Sequence, residues 1–175
     1  LPGHERNLSK VEYHVWINAS AKQVEWLIKN GYSKIYLIGH SMGGVIATYL
    51  SVKYKQVKKL VLAAPAFHYL NVIKDDLNVS ESLKAAPKII KDYGSDEIIA
   101  RILKLNVSVV KEFMDLVKEY YDYPKELTCK LLILHGKSDN LVPVSSSEYV
   151  YKSAKTKDKK LKLLEKDYLF LKEVD

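Results

Sequence analysis

A short apolar run, Ile35-Tyr36-Leu37-Ile38, leads directly into Gly39-His40-Ser41-Met42-Gly43 and then into Gly44-Val45-Ile46-Ala47-Thr48-Tyr49-Leu50. The first segment has the length and branching of a buried strand, and the last has the composition of a buried helix. A strand that becomes a helix within so few residues must turn sharply, and the serine at the centre of the turn is pushed out of the sheet. Gly39 and Gly43 are read as the residues that let the two elements close without a Cβ between them. The helix starting near Met42 directs free backbone N–H groups and the positive end of its dipole at the same spot, an arrangement suited to a developing oxyanion.

The rest of the chain supplies a sheet for this turn to stand on. Ser9-Lys10-Val11-Glu12 has capping-box spacing, and Tyr13, Trp16, Ile17, Ser20, Val24, Leu27 and Ile28 then recur at helical intervals until Gly31 offers a stop. Strands are predicted at 34–38, 60–64, 130–135 and 161–164, and helices at 43–54 and 143–154. Alternating helices and apolar strands imply an α/β fold with a mostly parallel sheet flanked by helices. Between 66 and 127 the pattern is helical without a strand, with segments near 80–93, 96–105 and 107–121. This stretch reads as a helical cap inserted over the carboxyl ends of the strands. The division is therefore α/β core at 1–65, cap at 66–127 and core again at 128–175.

With 175 residues of which 47% are apolar, the chain is one globular domain by length. No run of about 18 uncharged apolar residues and no basic-then-apolar leader is visible, so the expectation is a cytoplasmic protein without a membrane span. The chain opens at Leu1 without a methionine, which is read as a fragment, a processed chain or an incomplete record. The lone Cys129 excludes an internal disulfide and reads as a small core residue. The formal charge of +7 comes from 28 basic residues spread beside 21 acidic ones. Its densest run, Lys152, Lys155, Lys157, Lys159, Lys160, Lys162 and Lys166, has few aromatics interleaved for base stacking, so no nucleic-acid partner is inferred.

The chain resembles the α/β-hydrolase superfamily, in its carboxylesterase and monoacylglycerol-lipase-like branch. The matching residues are Leu1-Pro2-Gly3-His4, the turn at Ser41, Leu62-Ala63-Ala64-Pro65, and Leu134-His135-Gly136-Lys137-Ser138-Asp139-Asn140-Leu141-Val142-Pro143. The resemblance spans nearly all of the chain, but the chain spans only the later two-thirds or so of such a fold, with the amino-terminal strands absent. It implies that Ser41 is the nucleophile, that Asp139 is the acid orienting the catalytic histidine, and that the Met42 N–H belongs to the oxyanion hole. The position of Asp139, in a turn just past a strand's carboxyl end, agrees with this. The same Lys137-Ser138-Asp139-Asn140 composition also favours a turn for its own sake.

The third member is missing from its place. The resemblance implies a chain order of Ser, then Asp, then His, whereas His4, His14, His40, His68 and His135 all precede Asp139. The stretch near Asp167 and Tyr168, where the base is expected, holds no histidine. Of the five, His68 could face a pocket, while His40 and His135 read as structural and His4 and His14 as packing or surface residues. The second oxyanion donor, from a loop after the family's third strand, also has no counterpart. Losing one such donor costs on the order of a hundred- to a thousand-fold, and losing the histidine about a million-fold. Taken as the whole molecule, the chain is expected to turn over negligibly, and its uncovered sheet to associate, a homodimer being one outcome.

The first functional reading is a serine hydrolase of carboxylic esters, with short, medium or monoacylglycerol-like acyl groups, working through an acyl-enzyme without metal or organic cofactor. Leu77, Val79, Leu83, Ile98, Ile99, Ile102 and Leu103 in the cap suggest a lipophilic substrate, or equally the core of a helical bundle. The alternative is a non-catalytic relative that binds an apolar ligand or partner.

Overall fold

The computed structural model describes residues 11–68, 107–139 and 142–165. They form α1 (Tyr13–Lys29), β1 (Ile35–His40), α2 (Met42–Lys53), β2 (Val57–Ala63), α3 (Val107–Tyr120), a 3-10 turn (Tyr123–Glu126), β3 (Lys130–Gly136), α4 (Val144–Ser153) and β4 (Lys159–Leu164). The four strands are parallel and lie in the order β1-β2-β3-β4. The predicted helices at 80–93 and 96–105 and the apolar residues Leu77 to Leu103 lie outside the described residues.

Each strand is laid down on the same side of its predecessor, and right-handed crossovers then put the described connecting helices α2 and α4 on one face. The register confirms it. Gly39 pairs with Leu62, and Leu62 with Ile133, so these three share a face. A Cβ on Gly39 would touch α2, while His135, two residues beyond Ile133, hydrogen-bonds Ser147 of α4. Leu60, Leu62, Leu131 and Ile133 are buried under these helices, each contributing about 1.5–3 kcal/mol of hydrophobic stabilisation. The opposite face carries Tyr36 and Ile38, which are 58% and 77% exposed, with Val61 and Leu132 in register beside Ile38.

α1 buries Trp16, Ile17, Ala21 and Val24, and α3 adds Val109, Leu116, Val117 and Tyr120 to the same core. The capping-box expectation needs correction. The N-cap of α1 is Glu12, which makes no side-chain cap bond, and Ser9 lies outside the described residues. The free Tyr13 N–H is taken instead by Glu112 Oε2 of α3 at 2.9 Å, so one helix caps another. Gly31 does end the helix, in the left-handed region at φ 86°. Cys129 is partly buried, and burial pushes its thiol up, which suits a packing role. No described helix is long and apolar enough to cross a membrane.

Candidate active site

Ser41 sits between β1 and α2 with φ 52° and ψ −122°, a conformation that an L-residue adopts only when its surroundings force it. Three backbone hydrogen bonds do so. The Ser41 N–H donates to Ala63 O at 3.0 Å, and the Ser41 carbonyl accepts from the N–H groups of Gly44 at 2.9 Å and Ala66 at 3.1 Å. The end of β2 thus grips the turn from the side. Ala64 in that same loop is also left-handed at φ 41°, its N–H donating to Leu134 O at 2.9 Å.

The glycines divide differently from the sequence reading. A Cβ on Gly39 would lie 2.5 Å from Gly43 O and 2.8 Å from both Ala47 Cβ and Gly44 Cα, so Gly39 is required as predicted. Gly43 is a correction: a Cβ there meets nothing within 4 Å. The crowded partner is Gly44, where a Cβ would lie 2.8 Å from Pro65 Cβ and 2.9 Å from Pro65 Cα. The helix start is pressed against the loop after β2 as well as against the strand that precedes it, and the five-residue motif does not reveal the first of these neighbours.

Asp139 follows the end of β3, the third strand of the same parallel sheet, so its turn opens on the edge that displays Ser41. Its carboxylate Oδ1 accepts the Val142 N–H at 2.9 Å, and its own N–H donates to Gly136 O at 3.2 Å. Lys137 fastens the turn to β4, its N–H donating to Leu164 O at 2.8 Å and its ammonium lying 2.6 Å from Glu165.

Two of the described histidines have both ring nitrogens engaged by groups other than Ser41. His68 is held through Nδ1 by Ser145 Oγ at 3.2 Å and through Nε2 by the Tyr121 hydroxyl at 2.9 Å. Its ring stacks on Tyr121 and leans on Tyr149, and burial lowers its pKa. His135 is fully buried, bonded through one nitrogen to Ser147 and through the other to the Val142 carbonyl. Desolvation lowers the pKa of His40, with the charge of Asp139 working in the opposite direction, so that acid and the elbow feel each other. His4, Asp167 and Tyr168 lie outside the described residues.

Three consecutive serines at the start of α4, which the sequence reading passed over, tie the site together. Ser145 meets the His68 ring, Ser146 Oγ donates to Pro65 O and accepts the N–H groups of Phe67 and His68 at 2.9 Å each, and Ser147 meets His135. One helix end therefore holds the loop after β2 and the segment that carries Asp139. A run of small polar residues reads from sequence only as helix-start chemistry. Among the described residues no group of three or more His, Cys, Asp or Glu side chains could hold a metal ion.

The profile of a family described as serine aminopeptidase, S33, matches residues 17–168. Human monoglyceride lipase is 27% identical over 178 residues, covering 90% of this chain and 58% of that protein. A Mycoplasma pneumoniae protein named as esterase/lipase 3 is 28% identical over 171 residues, covering 83% of this chain and 59% of its own length. The chain thus spans under three-fifths of the length of these curated relatives. Among solved structures, a monoacylglycerol lipase of Paleococcus ferrophilus aligns with a TM-score of 0.60 at 16% identity, over 85% of this chain and 65% of its own. A lipase-esterase related protein of Clostridium acetobutylicum aligns at 0.64 with 19% identity, over 90% and 68%. At these identities the structural likeness establishes the α/β-hydrolase fold.

Proposed function

Because the chain belongs to the serine aminopeptidase S33 family of hydrolases, we propose that it carries the nucleophile and the acid of a serine hydrolase that cleaves carboxylic esters. The observation that carries the reading is Ser41 itself, held at φ 52° between β1 and α2 by three backbone hydrogen bonds. A left-handed serine at a strand-to-helix turn costs of order 1–3 kcal/mol, and such strain persists where the surrounding structure over-determines it, most often at functional sites.

Ser41 Oγ attacks the ester carbonyl carbon, and its proton passes to a general base. The carbonyl oxygen becomes an oxyanion stabilised by the Met42 N–H at the start of α2. The ester C–O bond then breaks, the alkoxide takes the proton back from the base, and water hydrolyses the acyl-enzyme by the same route in reverse. Asp139 orients that base and balances its positive charge. His68 and His135, with their ring nitrogens bonded elsewhere, do not fill the base's role. The expected position near Asp167 and Tyr168 lies outside the described residues. No metal or organic cofactor takes part in this scheme.

The ester class is taken from the relatives, which are named a monoglyceride lipase and an esterase/lipase. The family's own description names an aminopeptidase. Assaying p-nitrophenyl esters of graded acyl length against aminoacyl anilides, with the protein expressed from its complete reading frame, decides between them. Ester hydrolysis that S41A abolishes supports the reading. Anilide cleavage without ester cleavage, or binding of an acyl compound with neither, overturns it.

A further inference from the structure

His135 is a buried titratable group with no part in the reaction just described, yet it touches the acid's turn at the residue that holds the acid. It lies on the α4 face of β3 with no exposure to solvent. Its Nε2 is 2.8 Å from the carbonyl oxygen of Val142, which can only accept, so Nε2 carries a proton. Its Nδ1 is 2.6 Å from Ser147 Oγ, whose hydroxyl donates to it in the neutral ring. The other end of the Val142 backbone, its N–H, is the donor to Asp139 Oδ1 at 2.9 Å. Asp139 Oδ2 in turn lies 3.8 Å from His135 Nε2.

We propose that His135 is a positioning residue for Asp139, fixing the direction of the carboxylate through Val142. The proposal rests on the reading of Asp139 as the acid of the site. The connection runs from α4 through Ser147 to the imidazole, from the imidazole to the Val142 carbonyl, and from the Val142 N–H to the carboxylate. Each link has a single donor and a single acceptor, so the ring cannot rotate without breaking two of them. Ser146, the neighbour of Ser147, holds the loop after β2, whose Ala66 N–H grips the Ser41 carbonyl. The nucleophile and the acid are therefore referenced to one helix end. His135 performs this task through its Nε2–H, and a residue without that N–H leaves the Val142 carbonyl buried without its donor.

The test compares H135L, H135Q and S147A with the parent protein, all expressed from the complete reading frame, by NMR and by labelling with a fluorophosphonate. In H135L the Val142 amide exchanges about tenfold faster or more relative to other β3 and α4 amides, as expected for loss of one hydrogen bond's worth of restraint. The Asp139 Cγ resonance moves with it, and labelling of Ser41 slows about tenfold at unchanged probe affinity. H135Q, whose side-chain amide N–H can reach the Val142 carbonyl, restores the Val142 protection and the Asp139 resonance. S147A gives a partial form of the H135L effect and keeps the question open to experiment if H135L does not fold. A lower melting temperature in H135L or S147A with parental Val142 exchange and Asp139 Cγ shift overturns the proposal. If the parent protein, expressed from its complete reading frame, is not labelled, the hydrolase reading fails while the NMR comparison still decides the role of His135.

Discussion

Replacing each of Gly39, Gly43 and Gly44 by alanine separates the geometry of the elbow from its sequence motif. Carbon atoms in good contact sit about 3.5–4.0 Å apart, so a Cβ on Gly44, 2.8 Å from Pro65 Cβ and 2.9 Å from Pro65 Cα, requires a displacement approaching an ångström. The atoms in the way belong to a proline whose carbonyl is bonded to Ser146, and they cannot swing aside as a flexible side chain would. Overpacking of this kind costs about 1–3 kcal/mol. Gly39→Ala meets backbone at 2.5 and 2.8 Å as well as Ala47 Cβ and belongs at or above the top of that range. Gly43→Ala meets nothing and gains helix propensity, at most about 1 kcal/mol. For a domain of this size 1 kcal/mol moves the melting temperature by about 2–4 °C. Thermal and urea unfolding should therefore find G43A unchanged or a few degrees more stable, and G39A and G44A lower by several degrees. If G43A is as damaging as G44A, the packing of α2 on the loop after β2 is not as described and the argument fails.

Ser41→Gly relieves a positive φ that costs an L-residue about 1–2 kcal/mol, so it should raise or preserve the unfolding free energy while abolishing probe labelling; a marked destabilisation would contradict the strain. Asp139→Asn keeps an acceptor for the Val142 N–H but cannot balance a charged base, and should slow reaction at Ser41 on the order of ten-thousand-fold with a melting temperature close to the parent. Burial lowers the pKa of His68 in the folded chain, so between that value and the ordinary 6.5 the unfolded chain binds the extra proton. Stability should then rise with pH through this window and fall on acidification, with His40 contributing in the same direction. H68Q should flatten the urea-derived stability profile between about pH 7 and pH 5, and an unchanged slope would refute the assignment.

The strands and the elbow were legible because their signal is local. Apolar runs bounded by glycine or lysine give the strands to within one to three residues at either end, as with the predicted 130–135 and the observed Lys130–Gly136. Gly39 was legible for the same reason, since its obstruction comes from the next turn of the same unit. Gly44 was not, because Pro65 reaches it from the loop after β2. The N-cap of α1 misled the sequence reading for a similar reason: Glu112, 99 residues along the chain, does what a local serine was expected to do. The anchoring by Ser145, Ser146 and Ser147 depends on partners 12 to 81 residues away and leaves no pattern in the sequence.

The central claim is that Ser41 is a nucleophile displayed by its backbone. Incubation of the protein, expressed from its complete reading frame, with a fluorophosphonate, followed by intact mass and peptide mapping, tests it most directly. One adduct, located on Ser41 and lost in S41A, is the predicted result. A folded protein whose Ser41 stays unmodified, or whose adduct lies on another residue, would contradict the account.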